Sequence, residues 1–270
     1  MTGEHLNKSL QLLADHLERA QDLASDENQM DVDYLATHFV RYSKTFEYLP
    51  EPTGDAVALE LGASAIFQVI LRDILTYDVV YGSVWSRDIC DKYRLRKYVA
   101  GGVEVENVSF SIDLESELLP LNSSSVDFVM CCEVLEHMDV DPMFLLAEIS
   151  RVLKVGGMLL VTTPNSCSAR NLWKIAQGIR PHFYMQYRKD RSPYRHNIEY
   201  DVSTVLDLLK AAGFDLKFIG TDDVFEEPST EGVALIKRAN LPEEYRGDDI
   251  FAVAVKTRQF NDRWPSGIYI

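Results

Sequence analysis

Apolar residues recur along this chain with two different periods, and the change between them marks its organisation. Leu6, Leu10, Leu13, Leu17 and Leu23 follow helical spacing near the start. A polar break, Ser25-Asp26-Glu27-Asn28, interrupts this stripe, and Asp31 is placed to cap a second helix carrying Tyr34, Leu35, Phe39 and Val40. Pro50, Pro52 and Gly54 end the helical segment. Beyond it, short apolar runs alternate with helical patterns. Strands are predicted at residues 57–61, 78–84, 108–111, 126–131, 157–163, 216–220 and 251–255. Helices are predicted at 66–75, 87–99, 142–153 and 202–212, with one more near 233–238 in an otherwise irregular acidic stretch. This alternation predicts an α/β fold with a parallel sheet and helices on both faces. The expected organisation is a helical extension or lid at 1–50 and one α/β domain at 51–270, with an insertion at 166–200.

The chain has 270 residues and a formal net charge of −15. That charge repels phosphate backbones, so a nucleic-acid partner is not expected, although residues 180–195 are locally basic. No run of about 18 apolar residues occurs, and residues 1–7 lack a signal-peptide core, so a cytoplasmic protein without an integral membrane segment is expected. The four cysteines, Cys90, Cys131, Cys132 and Cys167, show neither disulfide nor metal-ligand spacing. Cys131 and Cys132 read as small core residues, and no metal site is assigned.

Four places carry candidate chemistry. The first predicted strand ends in Glu60-Leu61-Gly62-Ala63-Ser64, where an open α/β sheet places ligands and a glycine admits a close backbone approach. An ordinary strand-to-helix turn is the competing reading. A nicotinamide-binding turn is excluded, because Gly-x-Gly-x-x-Gly is absent there. After the fourth predicted strand, Cys132-Glu133-Val134-Leu135-Glu136-His137 sets two carboxylates and an imidazole within five residues. Such a group suits a general base, and a plain helix-start histidine is the alternative. Asp113 ends the third strand as either a ligand or a turn residue. The insertion interleaves Tyr184, Tyr187, Arg188 and Tyr194 with the run Arg195-His196-Asn197-Ile198-Glu199-Tyr200, side chains suited to sugar rings and phosphates.

Taken in order, Glu60-Leu61-Gly62-Ala63-Ser64, Cys132 to His137, Arg151 to Gly157, Thr163-Pro164-Asn165 and Arg195 to Tyr200 resemble class I S-adenosylmethionine-dependent methyltransferases. The similarity covers roughly residues 55–220 and is nearest to a branch associated with bacterial polysaccharide and lipid-linked sugar assembly. It implies a Rossmann-like sheet of seven strands, mostly parallel with an antiparallel last strand, and S-adenosylmethionine as cofactor. Cofactor contacts are implied at Glu60, Gly62, Ala63, Ser64, Trp85, Asp88, Asp113, Leu114, Cys132 and Glu133. His137, His196, Glu133 and Glu136 are the catalytic candidates. Tyr184, Tyr187, Arg188, Arg195 and Tyr200 are candidates for binding a small-molecule or lipid-linked sugar acceptor, and a homodimer is allowed for. The chain departs from the family pattern at Ser64, Ile66 and Val84, the last standing where an acid would bind the ribose, and at Ile198, where a cation is usual. O-methylation of a sugar hydroxyl is the leading expectation; a binding protein of the same fold without turnover is the alternative.

Overall fold

The computed structural model describes residues 1–23, 29–85, 93–181 and 195–269. Among these the strands stand in the order β3-β4-β2-β1-β5-β6-β8-β7. The chain divides into two compact units, residues 1–112 with 126–130, and residues 113–125 with 131–270.

The first unit begins with helices α1 (Gly3–Asp22), α2 (Gln29–Thr37) and α3 (Phe39–Phe46). Strand β1 (Val57–Leu61) follows, then α4 (Ala65–Val69), which continues as a π-helical turn, Ile70–Ile74. Strands β2 (Val79–Val84), β3 (Arg94–Ala100) and β4 (Val103–Ser111) complete it, together with the first five residues of β5 (Val126–Cys132). β2 pairs in parallel with β1 and with β4, so these three strands present their carboxyl ends at one edge. Ser64 caps α4 by accepting from the Phe67 N–H at 3.3 Å.

One expected helix is a strand instead. Residues 94–100, placed in a helix spanning 87–99, form β3, antiparallel to β4; residues 86–92 lie outside the described ones. The reason is visible in the segment. Tyr98 and Ala100 are buried while Leu95 and Val99 face outward, a period of two. Gly101 and Gly102, at φ of 56° and 85°, then supply a two-residue hairpin turn that favours glycine at both positions. The sheet therefore has eight strands where seven were expected, with β3 as an added antiparallel edge.

The amino-terminal helices pack inside this unit. A Cβ on Gly101 would lie 2.8 Å from the Leu12 carbonyl oxygen, so α1 rests directly on the hairpin turn. α1 buries Ser9, Leu12 and Leu13, a face offset from the leucine stripe, and Leu23 is exposed. From α3, Tyr42 and Phe46 pack on Phe67 of α4, with ring centroids 5.2 and 5.6 Å apart.

The second unit holds a 3-10 turn (Leu135–His137), α5 (Pro142–Val152), β6 (Leu153–Pro164), α6 (Ala169–Ala176) and α7 (Val202–Ala211). It closes with β7 (Phe214–Asp222), α8 (Thr230–Arg238) and β8 (Asp249–Lys256), β8 pairing antiparallel with both β6 and β7. Arg151 on α5 bonds Glu148 and the carbonyls of Leu119 and Leu121, tying down the loop before β5. No described helix is long and apolar enough to cross a membrane.

Candidate active site

In the first unit, the turn after β1 is built around a buried carboxylate. Glu60 is fully buried; it accepts from the Ser64 N–H at 2.9 Å, the Ser64 hydroxyl at 3.0 Å and the Gln68 amide at 2.8 Å. Gly62 has φ of 73°, a conformation that favours glycine. Its N–H donates to the Ser83 hydroxyl at 3.2 Å, and the Ala63 N–H donates to the Ser83 carbonyl at 2.8 Å, fixing the β1 end against the β2 end. Tyr42, which the sequence did not single out, reaches this turn from α3 and hydrogen bonds Ser64; burial pushes its hydroxyl up to about 12. The extension thus contacts the predicted cofactor turn itself. Val84 ends β2 and Trp85, 46% exposed, follows it; Asp88 lies outside the described residues.

Burial holds the Glu60 carboxyl at about 8, above its ordinary 4.5, with Gln68 and Ser64 pulling weakly the other way. The folded chain then binds a proton that the unfolded chain has lost. The stability this gives is complete below about pH 4.5 and declines as pH rises towards about 8. Melting curves of the ligand-free chain should therefore fall more steeply between about pH 5 and 8 than those of Glu60→Gln, which removes the titration. Parallel profiles for the two proteins would mean that Glu60 is ionised throughout.

In the second unit, Asp113 is exposed; its carboxylate accepts from the Glu115 N–H at 3.0 Å, and its own N–H donates to Glu117. Leu114 is half-buried beside it. Cys131 is buried and Cys132 half-buried at the end of β5. Glu133, next in the chain, has φ of 53°, rare for a residue with a side chain. Two bonds to β6 hold it there: its N–H donates to the Thr162 carbonyl at 2.9 Å, and the Thr162 hydroxyl donates to its carboxylate at 2.7 Å. Such a conformation costs about 1–3 kcal/mol and marks a place where a side chain is aimed.

The same unit brings together two segments some sixty residues apart in sequence. The N–H groups of Asn197 and Ile198 both donate to the Glu136 carbonyl, at 2.7 and 3.3 Å. The Asn197 amide donates to the His137 carbonyl at 2.8 Å, and the Tyr200 hydroxyl to that of Leu135 at 3.4 Å. His137 and His196 consequently meet edge to face, with centroids 5.0 Å apart. Glu136, completely buried, receives the Thr163 hydroxyl at 3.0 Å and lies 3.8 Å from His137 Nε2. His137 Nδ1 lies 3.1 Å from the Arg195 carbonyl, and His196 Nδ1 3.4 Å from Glu199. Burial lowers the His137 pKa below its ordinary value, the bond to the Arg195 carbonyl pulls the other way, and His196 adds a smaller lowering. Arg195 bonds Asn197 and faces Asp139 at 3.8 Å, and Tyr200 is buried within the segment. Tyr184, Tyr187 and Arg188 lie outside the described residues. The sequence reading did not assign roles to Thr162, Thr163, Asn197 or Glu199, which hold this cluster together; the fixed spacing of Asn197 and Glu199 around His196 was its only sequence signal.

Residues 73–161 match the family model of a methyltransferase domain. No curated protein matches the chain. Solved structures do. A candidate methyltransferase in a Haloferax volcanii complex with the Trm112 methyltransferase activator aligns with TM-score 0.54 and 17% identity, covering 86% of this chain and 96% of that one. An S-adenosylmethionine-dependent methyltransferase from Archaeoglobus fulgidus aligns with TM-score 0.52 and 20% identity, covering 79% and 92%. One from Thermotoga maritima gives TM-score 0.52 and 20% identity, covering 86% and 96%. Residues 73–161 therefore match a methyltransferase domain, and the chain shares the α/β, Rossmann-like fold of these solved structures.

Proposed function

We propose that this protein transfers a methyl group from S-adenosylmethionine to a hydroxyl of a sugar or similar small acceptor. The observation that carries this reading is the convergence of His137, His196, Glu133 and Glu136 beyond the end of β5. Methyl transfer is an in-line displacement, and a hydroxyl attacks well only as it loses its proton. An imidazole whose Nδ1 is fixed by a backbone carbonyl is suited to take that proton at Nε2, and the Glu136 carboxylate 3.8 Å from Nε2 favours the cation that results. With Nδ1 of His137 donating to the Arg195 carbonyl, Nε2 carries the lone pair that does so. The proton leaves on His137, the oxygen–carbon bond forms, and the sulfur–carbon bond breaks to give S-adenosylhomocysteine.

The proposed cofactor turn is Glu60, Gly62, Ala63 and Ser64 after β1 in the first unit, where the positive φ of Gly62 and the buried Glu60 carboxyl support it. The sugar acceptor is supported by the Arg195-His196-Asn197-Ile198-Glu199-Tyr200 run and by the aromatic and cationic residues Tyr184, Tyr187 and Arg188 before it. Incubation with methyl-labelled S-adenosylmethionine and a panel of sugars, nucleotide sugars and lipid-linked sugars tests the reading. Label in an alkali-stable ether is expected; label on an amine alone would overturn the hydroxyl assignment.

Val84, in place of a ribose-binding acid, predicts weakened cofactor affinity. A charged hydrogen bond is worth about 1.5–3 kcal/mol, so Val84→Asp should tighten S-adenosylhomocysteine binding by about tenfold or more. Calorimetry checks this, and unchanged affinity would mean that another group already holds the ribose.

A further inference from the structure

We propose that Glu136, His137 and His196 form a binding site for one divalent transition-metal ion. One ligand atom from each of the three lies within 4.8 Å of the other two, a separation that small side-chain shifts close around an ion. The donor set is two imidazoles and one carboxylate. Such mixed nitrogen and oxygen ligands suit Mn²⁺, Co²⁺ or Zn²⁺, whereas Mg²⁺ prefers oxygen alone and keeps its waters.

The groups behind the ligands fit this assignment better than they fit a lone base. A metal-binding histidine ordinarily donates its other ring N–H to a carbonyl or carboxylate, which fixes the tautomer and aims the ring. Both rings here have that partner: the Arg195 carbonyl at 3.1 Å for His137, and Glu199 at 3.4 Å for His196. Nε2 of each ring is then the nitrogen that carries the lone pair. Glu136 is oriented in turn by the Thr163 hydroxyl at 3.0 Å. Two imidazoles and a carboxylate, each held from behind, exceed what proton removal from one hydroxyl requires. The sequence did not show the site because its ligands stand on two segments that only the fold joins.

The chemical role of the ion rests on the methyl-transfer reading and changes the part of His137 within it. Three protein ligands leave coordination positions for the acceptor oxygen. A hydroxyl on a divalent ion gives up its proton to solvent more readily than a free one, and is also held in place. His137 Nε2 then serves as a ligand, and the ion supplies the activation otherwise asked of the base.

The test uses the full chain freed of metal with a chelator and titrated with Co²⁺, read by its visible absorption, with S-adenosylhomocysteine binding measured on the same samples. One Co²⁺ should bind per chain, with absorption bands characteristic of nitrogen and oxygen ligands. His196→Ala should abolish those bands. Glu199→Gln, a milder change behind the ligand, should weaken binding by about 10–100-fold. It keeps the test decisive should the alanine variant fail to fold. No binding of Co²⁺ at millimolar concentration, or binding undiminished in a folded His196→Ala variant whose acceptor KM alone rises, would overturn the site. If S-adenosylhomocysteine binds and Co²⁺ does not, the ion falls and the methyl-transfer reading stands. If Co²⁺ binds and S-adenosylhomocysteine does not, the reverse holds.

Discussion

His137→Ala should lower methyl transfer by about 10²–10⁴-fold and leave S-adenosylhomocysteine affinity nearly unchanged. The ring stands at the centre of the cluster, 3.8 Å from Glu136 and in edge contact with His196, yet on the 3-10 turn beyond β5 rather than on the turn after β1. Its loss removes the proton acceptor or, with the ion bound, a metal ligand, and either way the acceptor oxygen is no longer activated. The backbone bonds that dock residues 195–200 run through main-chain groups of Glu136 and His137 and persist in the variant. The measurement is single-turnover transfer with a saturating acceptor. Near-normal turnover would sink the assignment and leave alignment of acceptor and methyl group as the source of rate.

Gly62→Val should abolish cofactor binding. At φ of 73° a β-branched residue is strained, and the variant puts a side chain on the turn proposed to meet the cofactor. The N–H of Gly62 is also tied to Ser83, so the turn cannot relax without releasing the β2 end. A lower melting temperature is expected as well, so binding is compared at a temperature where the variant is folded. Normal S-adenosylhomocysteine binding by a folded Gly62→Val protein would place the cofactor elsewhere.

Much of this was legible because the signals are local. The β1 turn and the acids and histidine after β5 each declare themselves within a few residues, whereas Gly156-Gly157, which reads as a turn, lies within β6. The β3 hairpin was missed for a physical reason: cationic side chains at Arg94, Arg96 and Lys97 mask the alternation, although Gly101-Gly102 marks the turn. Long-range pairings were not legible. Nothing near Tyr42 says that its hydroxyl meets Ser64, and nothing in the Arg195–Tyr200 run says that it docks on Glu136 and His137. The same distance in sequence hid the cation site, since Glu136 and His137 supply two ligands and only folding adds the third.

Calorimetric titration of the full chain with S-adenosylhomocysteine bears most directly on whether this fold is a working methyltransferase. Saturable binding in the micromolar range, lost in Gly62→Val and retained in His137→Ala, is the expected result. No heat of binding at millimolar ligand would contradict it, and would leave a methyltransferase fold that serves as a binding protein without turnover.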